Sequence, residues 1–154
     1  PIEDVDPAIF DKIMEVNVKA PWSLSNLVLP HLKAHKNGSI INIASVEALT
    51  PGFGLGIYST SKAAILMLSK NQAKEWGKHG IRVNAICPGL IKTKFSAALW
   101  QNEKILGKIQ KTLPSERMGM PEEMVGLACL LASDAGGYMT GGVYTADGGY
   151  MIAG

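Results

Sequence analysis

The sequence predicts a single α/β domain, residues 1–154, built on a doubly wound parallel sheet with helices on both faces. The chain has 154 residues, of which 47% are hydrophobic and 18% charged, as in one globular domain. Short apolar runs typical of buried strands alternate with long helical patterns, and short turns separate them. This alternation predicts parallel strands, because each helix can return the chain to the edge of the sheet where the next parallel strand starts.

Composition excludes several classes of protein. The formal net charge is only +2 and the basic residues are scattered, so no nucleic-acid partner is expected. No apolar run approaches the roughly 18 residues of a membrane span, and the N-terminus lacks a secretion signal. Cys87 and Cys129 lie in apolar surroundings, and His31, His35 and His79 share no register with other ligand types. We therefore expect a reduced, cytoplasmic protein with no metal site.

The first predicted element is a long helix over about residues 7–34. Asp6 supplies an N-terminal cap, Pro7 occupies the first helical position, and apolar residues follow at helical spacing. The ring of Pro21 should clash with the carbonyl of Asn17, four residues earlier. We expect that carbonyl to have no helical partner.

Two predicted strands flank a second long helix. The run SIINIAS predicts a strand buried on both faces and ending at Ser45. A glycine-rich loop, TPGFGLG, leads into a helix from about Gly56 to Gly80. The run IRVNAICPG then predicts a second buried strand, which stops at Pro88 and Gly89.

The rest of the chain predicts an amphipathic helix within residues 92–115, a helix from Pro121 and a third strand in GGVYTADGG. The apolar stripe of the amphipathic helix is consistent with core packing and equally with a lid over a substrate, and both interpretations stay open. The stripe consists of Leu99, Trp100, Ile105, Leu106 and Ile109.

Polar and titratable residues collect where the first strand ends. Ligands of open parallel sheets bind beyond the carboxyl ends of the strands. Ser45 lies at such an end, and Tyr58 and Lys62 lie one helical turn apart at the start of the next helix. The pair alone is more typical of a solvated helix face, but its placement after Ser45 favours an acid/base centre. An ammonium group beside a phenol favours the phenolate, and a serine hydroxyl can hold a substrate oxygen.

On these motifs the sequence resembles the short-chain dehydrogenase/reductase family over almost its whole length, Ile2 to Gly149. The motifs are NV at Asn17, NIAS ending at Ser45, YSTSK at 58–62, IRVNAICPGLIKT at 81–93, and YMTGGVYTADGG near the end. The resemblance implies the C-terminal catalytic part of a Rossmann-like sheet. It also implies an oxidoreductase that uses NAD or NADP to interconvert a secondary alcohol and a ketone or aldehyde.

The resemblance implies a role for each matching residue. Tyr58 would be the catalytic acid/base, Ser45 would hold the substrate oxygen, and Lys62 would bind the nicotinamide ribose while lowering the pKa of Tyr58. Asn17 would hold, through its main chain, a water that connects Lys62 to solvent. The implied cofactor contacts are Tyr58, Lys62, Pro88, Gly89, Ile91 and Thr93.

The family's glycine-rich N-terminal turn, its cofactor-selecting residue and its NNAG segment have no counterpart in the sequence. We therefore expect a part of a longer protein that holds a dinucleotide poorly by itself. Two hypotheses follow: an oxidoreductase in the complete protein, or a folded oligomerisation module without activity. The resemblance also implies a homodimer or homotetramer packed through the long helices.

Glu47, two residues after Ser45, is interpreted as a solvated loop charge on the substrate side.

Overall fold

The computed structural model describes residues 1–153, and its centre is a parallel sheet with strand order β1-β2-β3. The strands are β1 (Gly38–Ile43), β2 (Ile81–Pro88) and β3 (Val143–Ala146). Ile40 of β1 pairs with Val83 of β2, and Ala85 of β2 pairs with Val143 of β3. The three strands and their parallel direction confirm the predicted sheet.

The helices lie between and after the strands, as the alternating pattern predicts. They are α1 (Pro7–Met14), α2 (Ala20–His35), α3 (Gly56–Trp76), α4 (Ala97–Trp100), α5 (Glu103–Thr112) and α6 (Val125–Ala132). Short 3-10 turns occupy Ile2–Asp4, Val46–Ala48, Gly77–His79, Pro121–Met124, Asp134–Gly136 and Tyr150–Ile152. Within residues 1–153, no helix combines the length and the apolar character needed to cross a membrane.

A π-helical turn, Glu15–Lys19, interrupts the predicted first helix. The amide of Ala20 donates to the carbonyl of Glu15, five residues earlier. Pro21 has no N–H to offer the carbonyl of Asn17, so the regular helical ladder is broken at the predicted place. The sequence indicated the break but not the π-helical turn that accommodates it.

β2 forms the middle of the core, and every residue from 81 to 87 is buried. On one face, Val83 and Ala85 pack against α3 and α2 through two apolar clusters. On the other face, the Arg82 guanidinium donates to the carbonyl of Leu131 in α6 at 2.7 Å. Helices therefore cover both faces of the sheet, as predicted.

β1 is less buried than predicted. Its last residue, Ile43, is 54% exposed. Among the residues described, β1 pairs only with β2. The isoleucine run therefore lies on an edge strand of the described sheet, with Ile40 and Ile41 half-buried. Helices α2 and α6 contact β1 from the two faces, so both faces are covered as expected, while the degree of burial is lower than expected.

The segment after β2 forms two short helices, α4 and α5, instead of one. None of the five side chains of the predicted apolar stripe is buried. Leu113 and Met118, which follow α5, are buried instead. Of the stripe, only Ile105 is exposed and the other four side chains are half-buried, so core packing and a lid both remain predictions. The helix predicted from Pro121 begins as a 3-10 turn and becomes α-helical at Val125.

The two cysteines have different environments. Cys87 is buried in β2, whereas Cys129 is exposed on α6, and neither forms a disulfide. The expected apolar surroundings hold for Cys87 only.

Gln72 on α3 is buried at a position next to the apolar cluster of Ala73, Trp76 and Val83. Neither its amide nitrogen nor its amide oxygen has a hydrogen-bond partner among the residues described. A buried polar group without a partner retains its desolvation cost.

Replacing Gln72 by methionine should stabilise the complete protein. Methionine is similar in shape and in helix propensity, and it removes two buried polar atoms. We expect the free energy of unfolding to rise by about 1 to 3 kcal/mol in urea titration. The matched control is Asn71→Met on the exposed side of α3, which should change stability by less than about 0.5 kcal/mol. A destabilised Gln72→Met protein would contradict the prediction.

Candidate active site

Ser45 lies two residues beyond the end of β1 and caps the 3-10 turn Val46–Ala48. Its hydroxyl oxygen accepts the backbone N–H of Glu47 at 3.2 Å. The capping role that a serine at a strand end suggests is therefore present. The cap also fixes the hydroxyl at the carboxyl edge of the sheet, by which we mean the end where the parallel strands have their carboxyl ends.

Tyr58 and Lys62 lie on the first turns of α3, beside Ser45. The Lys62 Nζ is 5.7 Å from the centroid of the Tyr58 ring. The same ammonium donates to the carbonyl of Ile43 at 3.0 Å, which ties α3 to the end of β1. The Ser45 hydroxyl lies close enough to Tyr58 to lower the pKa of its phenol. The structure thus brings together the three side chains that the sequence placed in two different elements.

The electrostatics of this group differ from the expectation. Burial raises the pKa of Tyr58, the Ser45 hydroxyl opposes that rise, and the charge of Glu47 adds to it. The expected lowering of the Tyr58 pKa is therefore wrong in direction for the residues present. Burial also lowers the pKa of Lys62, with the Cys87 thiol acting in the opposite direction.

Asn17 reaches the same region from the π-helical turn. Its Nδ2 donates to the Ser61 hydroxyl at 3.0 Å, and that hydroxyl donates to the carbonyl of Tyr58 at 2.7 Å. Ser61, which the sequence gave no reason to single out, therefore links Asn17 to the helix turn that carries Tyr58. The water-holding role of the Asn17 main chain remains a prediction.

Pro88 and Gly89 close β2 where it meets β3. The Gly89 N–H donates to the carbonyl of Ala146 at 3.1 Å. A Cβ on Gly89 would lie 2.6 Å from the Cα of Asp147. The backbones of the two loops therefore come this close only because Gly89 has no side chain. The structure therefore gives Gly89 a packing role, which leaves its implied cofactor contact a prediction.

Ile91 and Thr93 continue from this point. Ile91 forms a parallel bridge with Gly119, and the Thr93 carbonyl accepts the indole N–H of Trp100 at 2.9 Å. A cavity of about 250 Å³ is lined by Ile91, Asp147 and Arg117, among others, and Thr93 is not part of its lining. The segment is thus held by Gly119 at Ile91 and by Trp100 at Thr93.

An ion pair holds the strand-like segment that Ile91 contacts. The Arg117 guanidinium donates to both carboxylate oxygens of Glu123, at 2.8 and 2.6 Å, and the Met120 N–H donates to the same carboxylate. These hydrogen bonds to Arg117 and Met120 lower the pKa of Glu123 to about 2. Glu123 thereby links Arg117 to Met120, while Gly119 between them is held by its own backbone hydrogen bonds to Leu90 and Lys92.

Glu47 is the residue that sequence reasoning misplaced. It is only 9% exposed, so the interpretation as a solvated loop charge is wrong. Its carboxylate accepts the Gly52 N–H at 2.6 Å, the Ser59 hydroxyl at 3.1 Å and the Tyr150 hydroxyl at 3.4 Å. An acidic residue within the otherwise apolar run SVEALTPGFGLG was the one available signal of this role.

An aromatic side chain also faces the site. The Phe95 ring centroid lies 6.1 Å from that of Tyr58, with the ring planes tilted by 33°. Phe95 is 86% exposed, and Phe53, from the loop before α3, is 98% exposed. The approach to Tyr58 is therefore partly apolar.

The polar groups present are compatible with the sugar and amide parts of a nicotinamide nucleotide. Lys62 uses one N–H on Ile43, and its half-buried ammonium has further donors that suit vicinal hydroxyl groups. The Thr93 hydroxyl, which lies 3.3 Å from the Ser96 hydroxyl, adds a donor and acceptor on the segment after β2. The donor set fits this end of a dinucleotide.

Comparison with known proteins gives one consistent match. Residues 1–151 match the sequence model of a family described as enoyl-(acyl carrier protein) reductase. The chain is 40% identical over 146 residues to dehydrogenase/reductase SDR family member 4 of Oryctolagus cuniculus, covering 95% of this chain and 56% of that protein. It is 32% identical to gluconate 5-dehydrogenase of Gluconobacter oxydans, covering 99% of this chain and 60% of that protein. The chain thus spans about half the length of the curated relatives it matches.

Solved structures match equally well. A gluconate 5-dehydrogenase from Burkholderia cenocepacia, in complex with NADP and tartrate, superposes with a TM-score of 0.97 at 30% identity. This match covers 100% of this chain and 60% of that one. A 4-hydroxyisoleucine dehydrogenase complexed with NADH gives 0.95 at 33% identity, covering 100% of this chain and 64% of that one.

Substitution of Gly89 by alanine should destabilise the complete protein. The added Cβ meets the backbone of Asp147, which cannot move without disturbing the pairing of β2 with β3. We expect a loss of about 1 to 3 kcal/mol in the free energy of unfolding. The control is Gly126→Ala in α6, where nothing lies within 4 Å of the new Cβ and a gain of about 0.5 to 1 kcal/mol is expected. Equal effects of the two substitutions would show that the contact at Gly89 is unimportant.

Proposed function

Because this chain belongs to the short-chain dehydrogenase/reductase family, we propose that the complete protein is an NAD(P)-dependent oxidoreductase. It interconverts an alcohol and the corresponding carbonyl compound: a secondary alcohol with a ketone, or a primary alcohol with an aldehyde. The observation that carries the proposal is the convergence of Ser45, Tyr58 and Lys62 at the carboxyl edge of the sheet. The NADP and NADH complexes of the structural neighbours support the cofactor class.

Tyr58 acts on the substrate oxygen as the acid or base. In reduction it donates its phenolic proton to the carbonyl oxygen, while the Ser45 hydroxyl holds that oxygen. When bound, the nicotinamide supplies or accepts the hydride. The raised pKa keeps Tyr58 protonated at neutral pH, which suits the reductive direction. Oxidation needs the phenolate, so its rate should rise toward alkaline pH.

Lys62 and Asn17 serve the proton path and the cofactor. The Lys62 N–H groups hold the ribose hydroxyls, and a water on the Asn17 main chain connects Lys62 to solvent. The residues that would hold the nicotinamide end are Tyr58, Lys62, Pro88, Gly89, Ile91 and Thr93. The Ser61 bridge supports the placement of Asn17, because it fixes the π-helical turn against α3.

The rival hypothesis is a folded oligomerisation module without activity. The observation behind it is that the chain spans about half the length of its curated relatives. The intact mass of the protein and its binding of NAD(P)H distinguish the module hypothesis from the enzyme hypothesis. The module hypothesis expects a species of 16.4 kDa that leaves NAD(P)H fluorescence unchanged, whereas the enzyme hypothesis expects a larger protein that binds NAD(P)H.

A homodimer or homotetramer remains part of the proposal. Apolar side chains of α1 and α2 are exposed, including Phe10, Trp22 and Leu27. Such exposure on neighbouring helices is typical of an interface between copies. Light scattering of the complete protein should give two or four times the mass of one chain, and a monomer at micromolar concentration would contradict this.

The substitution Tyr58→Phe tests the proposed chemistry. Phenylalanine keeps the ring but removes the proton donor, so turnover should fall by about 10²- to 10⁴-fold. Binding of NAD(P)H, followed by its fluorescence, should change little. The measurement is the steady-state rate with a panel of ketones and secondary alcohols and each cofactor.

The matched control is Tyr138→Phe, because Tyr138 is fully exposed and distant in sequence from the site. It should leave the rate unchanged. Normal turnover by Tyr58→Phe would refute the proposed role of the phenol.

A further inference from the structure

We propose that Glu47 is a positioning residue for this reaction, an inference that rests on the function proposed above. Its carboxylate fastens together three segments: the loop that carries Ser45, the helix turn that carries Tyr58, and the C-terminal turn Tyr150–Ile152. Glu47 acts through these protein contacts, and the proposed role does not require it to contact the substrate.

The backbone of Glu47 acts on Ser45 directly. Its N–H occupies one acceptor site of the Ser45 hydroxyl at 3.2 Å. That contact leaves the hydroxyl proton free to point toward another oxygen. The position of Glu47 therefore influences the direction in which Ser45 donates.

The side chain acts on the turn of Tyr58. Glu47 Oε2 accepts the Ser59 hydroxyl at 3.1 Å, and Ser59 is the residue after Tyr58. The same oxygen accepts the Gly52 N–H at 2.6 Å, which folds the glycine-rich loop back onto the carboxylate. A Cβ on Gly52 would lie 2.7 Å from this oxygen, so a larger residue there would displace the carboxylate.

The third contact reaches across the chain. The Tyr150 hydroxyl donates to Glu47 Oε1 at 3.4 Å, over a separation of 103 residues. Tyr150 opens the short turn that follows the DGG segment. Glu47 thus connects the end of β1, the start of α3 and the chain beyond β3, the elements that surround the carboxyl edge.

Glu47 also contributes charge. The groups that face this region are Glu47 from the turn after β1, Tyr58 and Lys62 from α3, Cys87 from β2 and Tyr150 from the C-terminal turn. Among them, the Glu47 charge disfavours the phenolates of Tyr58 and Tyr150 and raises the pKa of each. A residue that only supported the loop would have no such effect on titration.

The test uses Glu47→Gln, Glu47→Ala and Ser59→Ala in the complete protein. Glutamine keeps the shape and the acceptor oxygen but removes the charge. The limb of the pH profile along which kcat/KM for alcohol oxidation rises with pH should therefore move to lower pH, with kcat within about tenfold of wild type. Glu47→Ala loses all three links, and kcat should fall by about 10²-fold because Ser45 and Tyr58 are misplaced. Ser59→Ala keeps the charge, so kcat should fall while the limb stays in place.

A second readout is independent of turnover. The phenolate absorbance of Tyr58, isolated by subtracting the Tyr58→Phe background, should titrate at lower pH in Glu47→Gln than in wild type. The control, Glu75→Gln on the exposed side of α3, makes the same change in net charge and should leave both readouts unchanged.

The outcomes separate the two proposals. Inactive wild-type protein with both cofactors would refute the function, while the absorbance titration would still report on Glu47. Active wild-type protein with unmoved profiles in Glu47→Gln would refute the inference alone. If Glu47→Ala does not fold, Ser59→Ala at wild-type kcat would refute the positioning role.

Discussion

The burial of β2 on both faces and along both edges is the constraint on which the rest of the structure depends. A strand in that position must satisfy its backbone groups with β1 on one side and β3 on the other. Because both pairings are parallel, the carboxyl ends of all three strands lie at the same end of the sheet. The loops that carry Ser45, Gly89 and Asp147 therefore leave the sheet side by side. Strand direction, more than any contact among Ser45, Tyr58 and Lys62, brings the residues of the proposed site together.

Two buried polar side chains on β2 extend this constraint to the C-terminal part of the chain. The Arg82 guanidinium donates to the carbonyls of Leu131 and Ser133, at 2.7 and 3.2 Å. Asn84 donates to the Met139 carbonyl at 2.7 Å and accepts the Gly142 N–H at 3.1 Å. A buried guanidinium and amide are tolerable only when hydrogen-bonded, so these contacts fix the connection between α6 and β3. That connection sets the register of β3 and hence the approach of Asp147 to Gly89.

The sequence predicted those features that depend on local signals. The three strands follow from apolar runs bounded by glycine and proline, their parallel direction follows from the helices between them, and Pro21 marked the break in the first helix. The strand order was known only from the structure. The one local signal at Glu47, an acidic residue in a largely apolar loop, could not identify its partners, because its three donors lie 5, 12 and 103 residues away and meet only in the folded chain. The apolar stripe of α4 and α5 was ambiguous for a related reason. Periodicity shows that a helix has an apolar face, but not which neighbour covers it.

The charge state of Tyr58 links this architecture to the direction of the proposed reaction. Burial and Glu47 both disfavour the phenolate, and the Ser45 hydroxyl offsets only part of that effect. The chain's own residues therefore hold Tyr58 as a proton donor. A base at neutral pH requires additional positive charge near the ring, beyond that of Lys62, whose own charged form is disfavoured by burial. Under the proposed function, the positive charge of a bound oxidised nicotinamide would favour the Tyr58 phenolate, whereas the neutral reduced ring would leave Tyr58 protonated. The same tyrosine then serves as a base when the alcohol is oxidised and as an acid when the carbonyl is reduced.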